Sequence, residues 1–265
     1  MSIGLSTYAF FWQWSDRVER PLTLGDMVGR TADLGVEVLQ ICDHPQVAEL
    51  DRDALRRLRH EADAAGVRLE LGTRGVLPEH LAAWLDLARA LDAVTERSML
   101  TTAAHRPGPA EARALLEKAL PAYEAAGVRI ALETYEQVPT AALVDLVAAV
   151  GSPSLGICSD PANCVAALEL PADVADRVAP HVVNMHVKDF RFVRRTDRVG
   201  FELVGAPLGE GLLDHDAVVA RVAPDPSVSQ VVEHWLPWQG DADTTCATER
   251  RWTEHDVSYL RSRHA

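Results

Sequence analysis

Four residues of types that commonly bind metal ions stand at corresponding points of the chain. Each ends or directly follows a short strand-like apolar run: Glu133, Asp160, His186 and Glu233. A lone carboxylate at such a point is usually a helix cap or half of an ion pair, and a lone histidine is usually a core residue. Four of them at matching positions are much harder to explain in that way, and the interpretation depends on whether the fold brings them together.

The elements that must position these residues repeat along the chain. The segments "LGVEVLQI" (34–41), "AGVRLELG" (65–72) and "AGVRIALE" (126–133) each place a glycine and a valine before an alternating, strand-like run. Each glycine follows a helical pattern, so it is expected to end a helix in the left-handed conformation. The glycines lie 31 and 61 residues apart. The unit is therefore about 30 residues, the size of one strand plus one helix.

Following this period predicts eight strand-like runs and roughly eight helices. The other runs are 3–10, 98–102, 155–158, 182–186 and 230–234. Helices are expected at Pro109–Ala126, near 173–179 and around 248–263. A loop insertion is expected around 191–211, between the last two runs. No linker divides these units, and the glycine fingerprint of an open doubly wound sheet is missing after the first run. The fold class is therefore predicted as α/β, a single (β/α)₈ TIM barrel over residues 1–265.

In such a barrel, functional residues gather at the C-terminal ends of the strands. That edge brings the four residues to one point, where three carboxylates repel one another unless a divalent cation is present. Three oxygens and one nitrogen suit a hard or borderline ion. The sequence thus predicts one divalent metal ion, with Mn²⁺ preferred and Mg²⁺, Co²⁺ or Zn²⁺ as alternatives.

Alternation along the seventh strand-like run places three polar residues on one side: Asn184, His186 and Lys188. Lys188 would then reach the same point as the metal site. Two interpretations are open for it: it donates to an oxyanion or a substrate carboxylate, or it forms a salt bridge with a neighbouring acid.

The charge balance restricts the partners. The 39 Asp and Glu residues against 26 Lys and Arg residues give a net charge of −13, which repels nucleic acid and anionic membrane surfaces. The chain also shows no apolar run of about 18 residues and no basic leader segment. We therefore expect a cytoplasmic protein whose partner is a small molecule.

Aromatic residues cluster beside the first and last strands. Because these strands are neighbours in a closed barrel, the aromatic residues would form one rim there. The rim would contain Tyr8, Phe10 and Phe11 with four of the six tryptophans, Trp12, Trp14, Trp235 and Trp238. Such a rim suits the C–H faces of a small polyol. A subunit contact in a homo-oligomer is the alternative, and the two can coexist. The glycine-rich turn 205–214 could in addition bind a phosphate group.

Five short motifs carry a resemblance to a known family. They are "LETYE" (132–136), "SDPAN" (159–163), "HVKD" (186–189), "PLGEG" (207–211) and "VVEHW" (231–235). In this order the chain resembles the xylose-isomerase-like barrel superfamily of sugar (phosphate) isomerases and epimerases over nearly its whole length. The resemblance implies that Glu133, Asp160, His186 and Glu233 are metal ligands. It further implies that Glu133 and Glu233 act as an acid/base pair.

The chain departs from the ketose epimerases of this group at two points. They usually carry a histidine three residues after the metal aspartate, where this chain has Asn163. The arginine that they use after the metal histidine has only Arg191 and Arg194 nearby. The residues expected to bind substrate are Tyr8, Phe10, Trp12, Asn163, Lys188, Arg191 and Trp235.

The first functional hypothesis is a metal-dependent isomerase or epimerase of a small sugar or keto-sugar. It would act through an enediolate, with Glu133, Glu233 and Lys188 as catalytic residues. The alternative is a lyase that uses the same site, either to decarboxylate a 3-oxo sugar acid or to eliminate a C- or O-glycosidic group from a 3-oxo sugar. An endonuclease IV-like activity conflicts with the acidic charge, and a non-catalytic carbohydrate binder would not need two glutamates facing one metal.

Overall fold

Eight parallel strands close into a barrel in the computed structural model, which describes residues 1–196 and 199–264. The described strands are β1 (Ser2–Ser6), β2 (Val38–Cys42), β3 (Arg68–Arg74), β4 (Thr95–Met99), β5 (Arg129–Glu133), β6 (Leu155–Ser159), β7 (Val182–Val187), β8 (Asp189–Arg194), β9 (Phe201–Ala206) and β10 (Ser229–Val232). Strand β1 pairs with both β2 and β10, which closes the ring, and β10 pairs with β7. The predicted (β/α)₈ barrel is confirmed.

Helices cover the outside of the barrel. They are α1 (Phe11–Trp14), α2 (Leu24–Asp33), α3 (Arg52–Ala65), α4 (Pro78–Leu91), α5 (Pro109–Ala126), α6 (Thr140–Val150), α7 (Pro161–Cys164), α8 (Pro171–Val178), α9 (His215–Val222) and α10 (Ala242–His264). Helices α3 and α5 end at Gly66 and Gly127, whose φ angles are 69° and 68°. These left-handed glycines turn the chain into the next strand, as the repeat predicted.

Apolar residues fill the layer between strands and helices, whereas polar residues occupy the barrel interior. The main core includes Leu39 and Ile41 of β2 with Met27 of α2, all fully buried. Between them on β2, Gln40 is also fully buried but makes polar contacts across the barrel. The alternation of a strand therefore separates a structural face from a face that can carry chemistry.

Three sequence-based boundaries differ from the structure. Strand β4 runs over Thr95–Met99 instead of 98–102, and α10 begins at Ala242 instead of near 248. The segment after β7, predicted as a loop over 191–211, instead contains the antiparallel hairpin β8–β9 with six facing residue pairs. Ladder hydrogen bonds satisfy its backbone, which a plain loop would leave to water. Residues 197 and 198 of this segment lie outside the described part of the chain.

Among the described residues, none of the helices combines the length and the apolar content that crossing a membrane requires.

Candidate active site

Four strands deliver the four predicted metal ligands to one end of the barrel. Glu133 is the last residue of β5 and His186 lies in β7, while Asp160 and Glu233 directly follow β6 and β10. One ligand atom of each residue lies within 4.8 Å of the corresponding atoms of the others. All four side chains are buried. The structure thus brings together the residues that the strand-end pattern singled out.

The imidazole of His186 stands at the centre of this group. Its Nδ1 atom lies 3.4 Å from Glu133 Oε1, 3.5 Å from Asp160 Oδ2 and 3.5 Å from Glu233 Oε1. This buried nitrogen has no hydrogen-bond partner among the described residues. Ligand atoms held about 2.1 Å from one ion lie roughly 3 to 3.5 Å apart. An unpartnered nitrogen amid three carboxylate oxygens at this spacing fits a divalent cation.

Lys188 lies beside the same carboxylates. Its Nζ atom is 2.7 Å from Asp160 Oδ2 and donates a hydrogen bond to Glu233 Oε2 at 2.8 Å. Burial disfavours the ammonium form, but Asp160 and then Glu233 outweigh burial, so the pKa of Lys188 lies above its ordinary value. The Nζ atom also lies 4.8 Å from the centre of the Trp235 ring. The residue is therefore a buried cation within the site.

Arg97, which sequence reasoning missed, holds Glu133. Its Nε atom lies 2.5 Å from Glu133 Oε2, and its side chain is only 3% exposed. Asn163 Nδ2 donates to the other oxygen, Oε1, at 2.7 Å. Burial acts to raise the pKa of Glu133, but Arg97, followed by His186 and Lys188, brings this pKa well below its ordinary value. Glu133 is a fixed carboxylate.

The other two carboxylates respond differently to burial. For Glu233, burial acts to raise the pKa, but His186 and Lys188 outweigh it and the pKa falls below its ordinary value. For Asp160, burial dominates over the ion pair with Lys188, and the pKa is raised. The cost of burying Asp160 is the kind that a bound cation removes.

A second charged group, also missed from the sequence, lies at the ends of β1 to β4. Asp43 Oδ2 accepts hydrogen bonds from Tyr8 at 3.1 Å, Arg74 at 3.0 Å and Arg97 at 3.3 Å. Asp43 also has a left-handed φ of 49°, which is uncommon outside glycine and concentrates at functional sites. The strand-end pattern could have identified this group in the sequence, because Asp43 follows β2 and Arg74 ends β3.

The aromatic rim lies next to this group. Tyr8, Phe11, Trp12 and Trp235 line one cavity of about 180 Å³, and the Trp12 and Trp238 rings lie 5.2 Å apart. Among the residues expected to bind substrate, the structure places Tyr8, Trp12, Asn163, Lys188 and Trp235 at this end of the barrel.

Two expected substrate contacts lie elsewhere. Phe10 is 2% exposed and packs in the main apolar core, because the short helical turn after β1 directs its ring inward. Arg191 is exposed on the hairpin strand β8, where it lines a different cavity together with Glu202 and Trp252. Neither Phe10 nor Arg191 lines the cavity that Tyr8, Trp12 and Trp235 share.

The glycine-rich turn after β9 binds an internal carboxylate. The backbone N–H groups of Gly209 and Gly211 donate to Asp189 Oδ2 at 3.0 and 2.9 Å, and that of Leu213 donates to Oδ1 at 2.8 Å. The donors that a phosphate group would need are already satisfied. The phosphate interpretation of 205–214 is therefore wrong for this conformation.

Comparison with known proteins identifies the family. The family model described as "Xylose isomerase-like TIM barrel" matches residues 28–263. A 3-oxo-isoapionate decarboxylase of Pectobacterium atrosepticum is 49% identical over 265 residues, which cover 100% of this chain and 96% of that protein.

Two solved structures share the fold. The D-psicose 3-epimerase with D-tagatose from Clostridium cellulolyticum H10 has a TM-score of 0.76 at 13% identity, with 99% of both chains covered. A xylose isomerase-like TIM barrel protein from Mycobacterium smegmatis in complex with magnesium has a TM-score of 0.69 at 15% identity, with 98% of this chain and 97% of that chain covered. At such identities these similarities show the fold alone.

Proposed function

The chain belongs to the xylose isomerase-like TIM barrel family, and we propose that it is a metal-dependent decarboxylase of a small 3-oxo sugar acid. The observation that carries the proposal is the 49% identity, over the whole chain, to a 3-oxo-isoapionate decarboxylase. This proposal takes up the lyase alternative of the sequence analysis in preference to the isomerase.

The residues proposed to hold the metal ion are Glu133, Asp160, His186 and Glu233. Three carboxylates and one imidazole suit Mn²⁺, and Mg²⁺, Co²⁺ and Zn²⁺ also accept such ligands. A divalent ion at this point would act as a Lewis acid for the negative charge that develops on the substrate's oxo oxygen.

The charges around the site favour an acid as the substrate. Four carboxylates and three cations are linked by direct contacts: Glu133, Asp160, Glu233 and Asp43 with Lys188, Arg97 and Arg74. Their net charge of minus one becomes plus one when a divalent ion is added. The cations Lys188 and Arg74 at this end of the barrel offer an opposite charge to the carboxylate of an acid, which a neutral sugar does not need.

We propose that Lys188 orients the acid and then donates a proton to the carbon that lost CO₂. In a 3-oxo acid, the C–C bond to the carboxylate breaks, CO₂ leaves, and the electron pair moves onto the neighbouring oxo group. The carbon that lost CO₂ then takes up one proton. The Lys188 ammonium group is the proposed donor, because it lies buried among the ligands at 2.8 Å from Glu233 and is reprotonated from solvent after release.

The surroundings of Glu133 favour this chemistry over epimerisation. An epimerase of the kind first expected uses Glu133 and Glu233 in turn as proton acceptor and donor. Here Glu133 is bound by Arg97 and Asn163, and its pKa lies well below its ordinary value. We propose that Glu133 serves as a ligand only, which a decarboxylase tolerates because it needs one proton donor.

An isomerase or epimerase of a small sugar is the second candidate. The feature that favours it is the pair of glutamates, Glu133 and Glu233, at 3.4 and 3.5 Å from the same imidazole nitrogen. Asn163, in place of the histidine of the ketose epimerases, argues against it.

The test is turnover in D₂O by the Mn²⁺-loaded protein, with 3-oxo sugar acids and ketoses supplied separately. We expect one CO₂ for each acid consumed, one deuterium in the product at the carbon that lost CO₂, and no deuterium in recovered acid. Interconversion of ketoses without CO₂ release would instead support the second candidate. Unchanged acids and ketoses in the presence of every divalent ion tried would refute both.

A further inference from the structure

We infer that Gln40 and Glu70 are positioning residues that hold His186 with its Nδ1 lone pair directed at the three carboxylates. Both lie inside the barrel, on β2 and β3, where they face each other in the strand register. They are 0% and 2% exposed, so water cannot replace their contacts. The inference rests on the metal site of the proposed function.

Gln40 determines which nitrogen of His186 carries the proton. Gln40 Oε1 lies 2.7 Å from His186 Nε2, and a carbonyl oxygen can only accept. His186 Nε2 must therefore carry a hydrogen and donate it. In the neutral ring this leaves Nδ1 without a proton, and Nδ1 is the atom that lies 3.4 to 3.5 Å from the three carboxylates.

Glu70 determines the orientation of the Gln40 amide. Gln40 Nε2 donates to Glu70 Oε2 at 2.9 Å and to Asn184 Oδ1 at 3.0 Å. Its Oε1 therefore faces His186, and it also accepts from the Cys42 thiol at 3.0 Å. A rotated amide would place its oxygen against the Glu70 carboxylate, with no hydrogen between them. The carboxylate therefore excludes the orientation in which Gln40 would present its NH₂ group to His186.

The same carboxylate also orients the neighbouring amide. Asn184 Nδ2 donates to Glu70 Oε2 at 3.1 Å, and Ser229 donates to Oε1 at 2.6 Å. Asn184 Oδ1 then accepts from Gln40 and from the thiol of Cys158. Every donor in this network has an acceptor. The Glu70 carboxylate can only accept hydrogen bonds, and it thereby determines the direction of the others.

Metal affinity in the full-length protein tests this inference. The apo protein is titrated with Mn²⁺ by calorimetry, with circular dichroism as the check on folding. Loss of a hydrogen-bond partner behind a metal-bound histidine typically weakens metal binding by roughly 10 to 100-fold. We expect Gln40→Leu to fall in that range. The matched control is Gln230→Leu, at a fully buried glutamine that contacts His215 on α9, and it should bind Mn²⁺ like the wild type.

An exchange of the two side chains distinguishes positioning from packing. Glu70→Gln alone removes the group that orients both amides and should weaken Mn²⁺ binding. The double variant Gln40→Glu/Glu70→Gln restores an acceptor towards His186 and a donor–acceptor pair between the two positions, so it should recover much of the lost affinity. Equal weakening in the single and double variants would refute the inference.

Nitrogen-15 NMR of the imidazoles gives a readout independent of activity. In the Mg²⁺-loaded wild type we expect His186 to keep a slowly exchanging Nε2–H, and in Gln40→Leu that proton should exchange faster. A proton on Nδ1, or unchanged exchange in Gln40→Leu, contradicts the inference. If the wild type binds no divalent ion, the metal site of the proposed function fails, and exchange at Nε2 in the metal-free protein still tests the Gln40 contact.

Discussion

Lys188 carries a positive charge where water is nearly excluded, since its side chain is only 4% exposed. Ion pairs with Asp160 and Glu233 and the face of Trp235 surround it. A lysine held in this way can orient an acid and deliver a proton without contributing to metal coordination.

Replacing this ammonium group should therefore separate turnover from metal binding. Lys188→Met should lower kcat for a 3-oxo sugar acid by roughly 10² to 10⁴-fold, the usual contribution of general acid catalysis. Mn²⁺ affinity should change much less. Steady-state CO₂ release and calorimetry measure the two quantities. The only other lysine, Lys118, is exposed on α5, so Lys118→Met is the control. A rate near that of the wild type in Lys188→Met would show that the ammonium group is not catalytic.

Substitutions of the proposed metal ligands should instead affect metal binding, each to a different degree. His186→Ala removes the one nitrogen ligand and should abolish stoichiometric Mn²⁺ binding, as elemental analysis of the desalted protein would show. Glu233→Gln keeps an oxygen for the ion but loses the charge that faces Lys188. It should therefore retain metal better than activity. Wild-type metal content in His186→Ala would place the site elsewhere.

At the scale of elements, the turn after β9 depends on one buried carboxylate. Asp189 accepts hydrogen bonds from the backbone of Phe190, Gly209, Gly211 and Leu213. At Gly211, an added Cβ would collide with that carboxylate, so only glycine fits there. The turn, the start of β8 and the residue next to Lys188 are thus tied into one unit.

Asp189→Asn tests this dependence. The amide places an NH₂ group against two backbone N–H donors, and unsatisfied buried groups cost about 1 to 3 kcal/mol each. We expect a loss of that order in the free energy of unfolding, measured with urea. Asp214→Asn, at the exposed N-cap of α9, is the comparison and should cost less. Equal losses in the two variants would show that the four contacts of Asp189 contribute no more to stability than an exposed helix cap does.

For the molecule as a whole, buried carboxyl groups other than the proposed metal ligands should make stability depend on pH. Burial raises the pKa of Glu96 from 4.5 to about 8, against a smaller opposing effect of the hydrogen bond with Tyr123. The single Tyr123 hydroxyl hydrogen cannot serve both Leu81 O and Glu96, each 2.8 Å away, so a protonated Glu96 completes the network by donating to Tyr123. Burial likewise raises the pKa of Asp256 to about 8 and that of Glu249 to about 7.

The sign of the pH effect follows from these shifts. The unfolded chain releases the Glu96 proton near its ordinary pKa of 4.5, whereas the folded protein holds it to about pH 8. As pH rises through this window, the free energy of unfolding should therefore fall by about 1.4 kcal/mol for each pKa unit of the shift. Above the window, the contribution of Glu96 should change no further.

Urea unfolding at pH 5 and pH 8.5 checks this prediction. From pH 5 to pH 8.5, the free energy of unfolding of Glu96→Gln should rise relative to that of the wild type. That of Glu79→Gln, at an exposed position of α4, should not. A constant difference between Glu96→Gln and the wild type across pH would show that Glu96 does not titrate in this way.

The barrel, and the meeting of the four candidate metal ligands at one end of it, could be predicted from the sequence alone. Both follow from local rules: glycines such as Gly66 and Gly127 end helices at a regular period, and alternation decides which side chains face inward at a strand end. Those rules depend on neighbours along the chain, so they can be recognised without the fold. They also indicated that Lys188 would lie with His186.

Which side chains meet across the barrel could be seen only in the folded structure. Arg97 and Glu133 are in contact although they lie 36 residues apart in the sequence, and Gln40 and His186 are in contact although they lie 146 residues apart. Periodicity gives the direction of a side chain but not the identity of the group opposite. Arg97 and Gln40 also lie within short buried strands, where a polar residue carries no local sign of a partner. The burial of Phe10 and the placement of Arg191 on a hairpin depend on the same long-range packing.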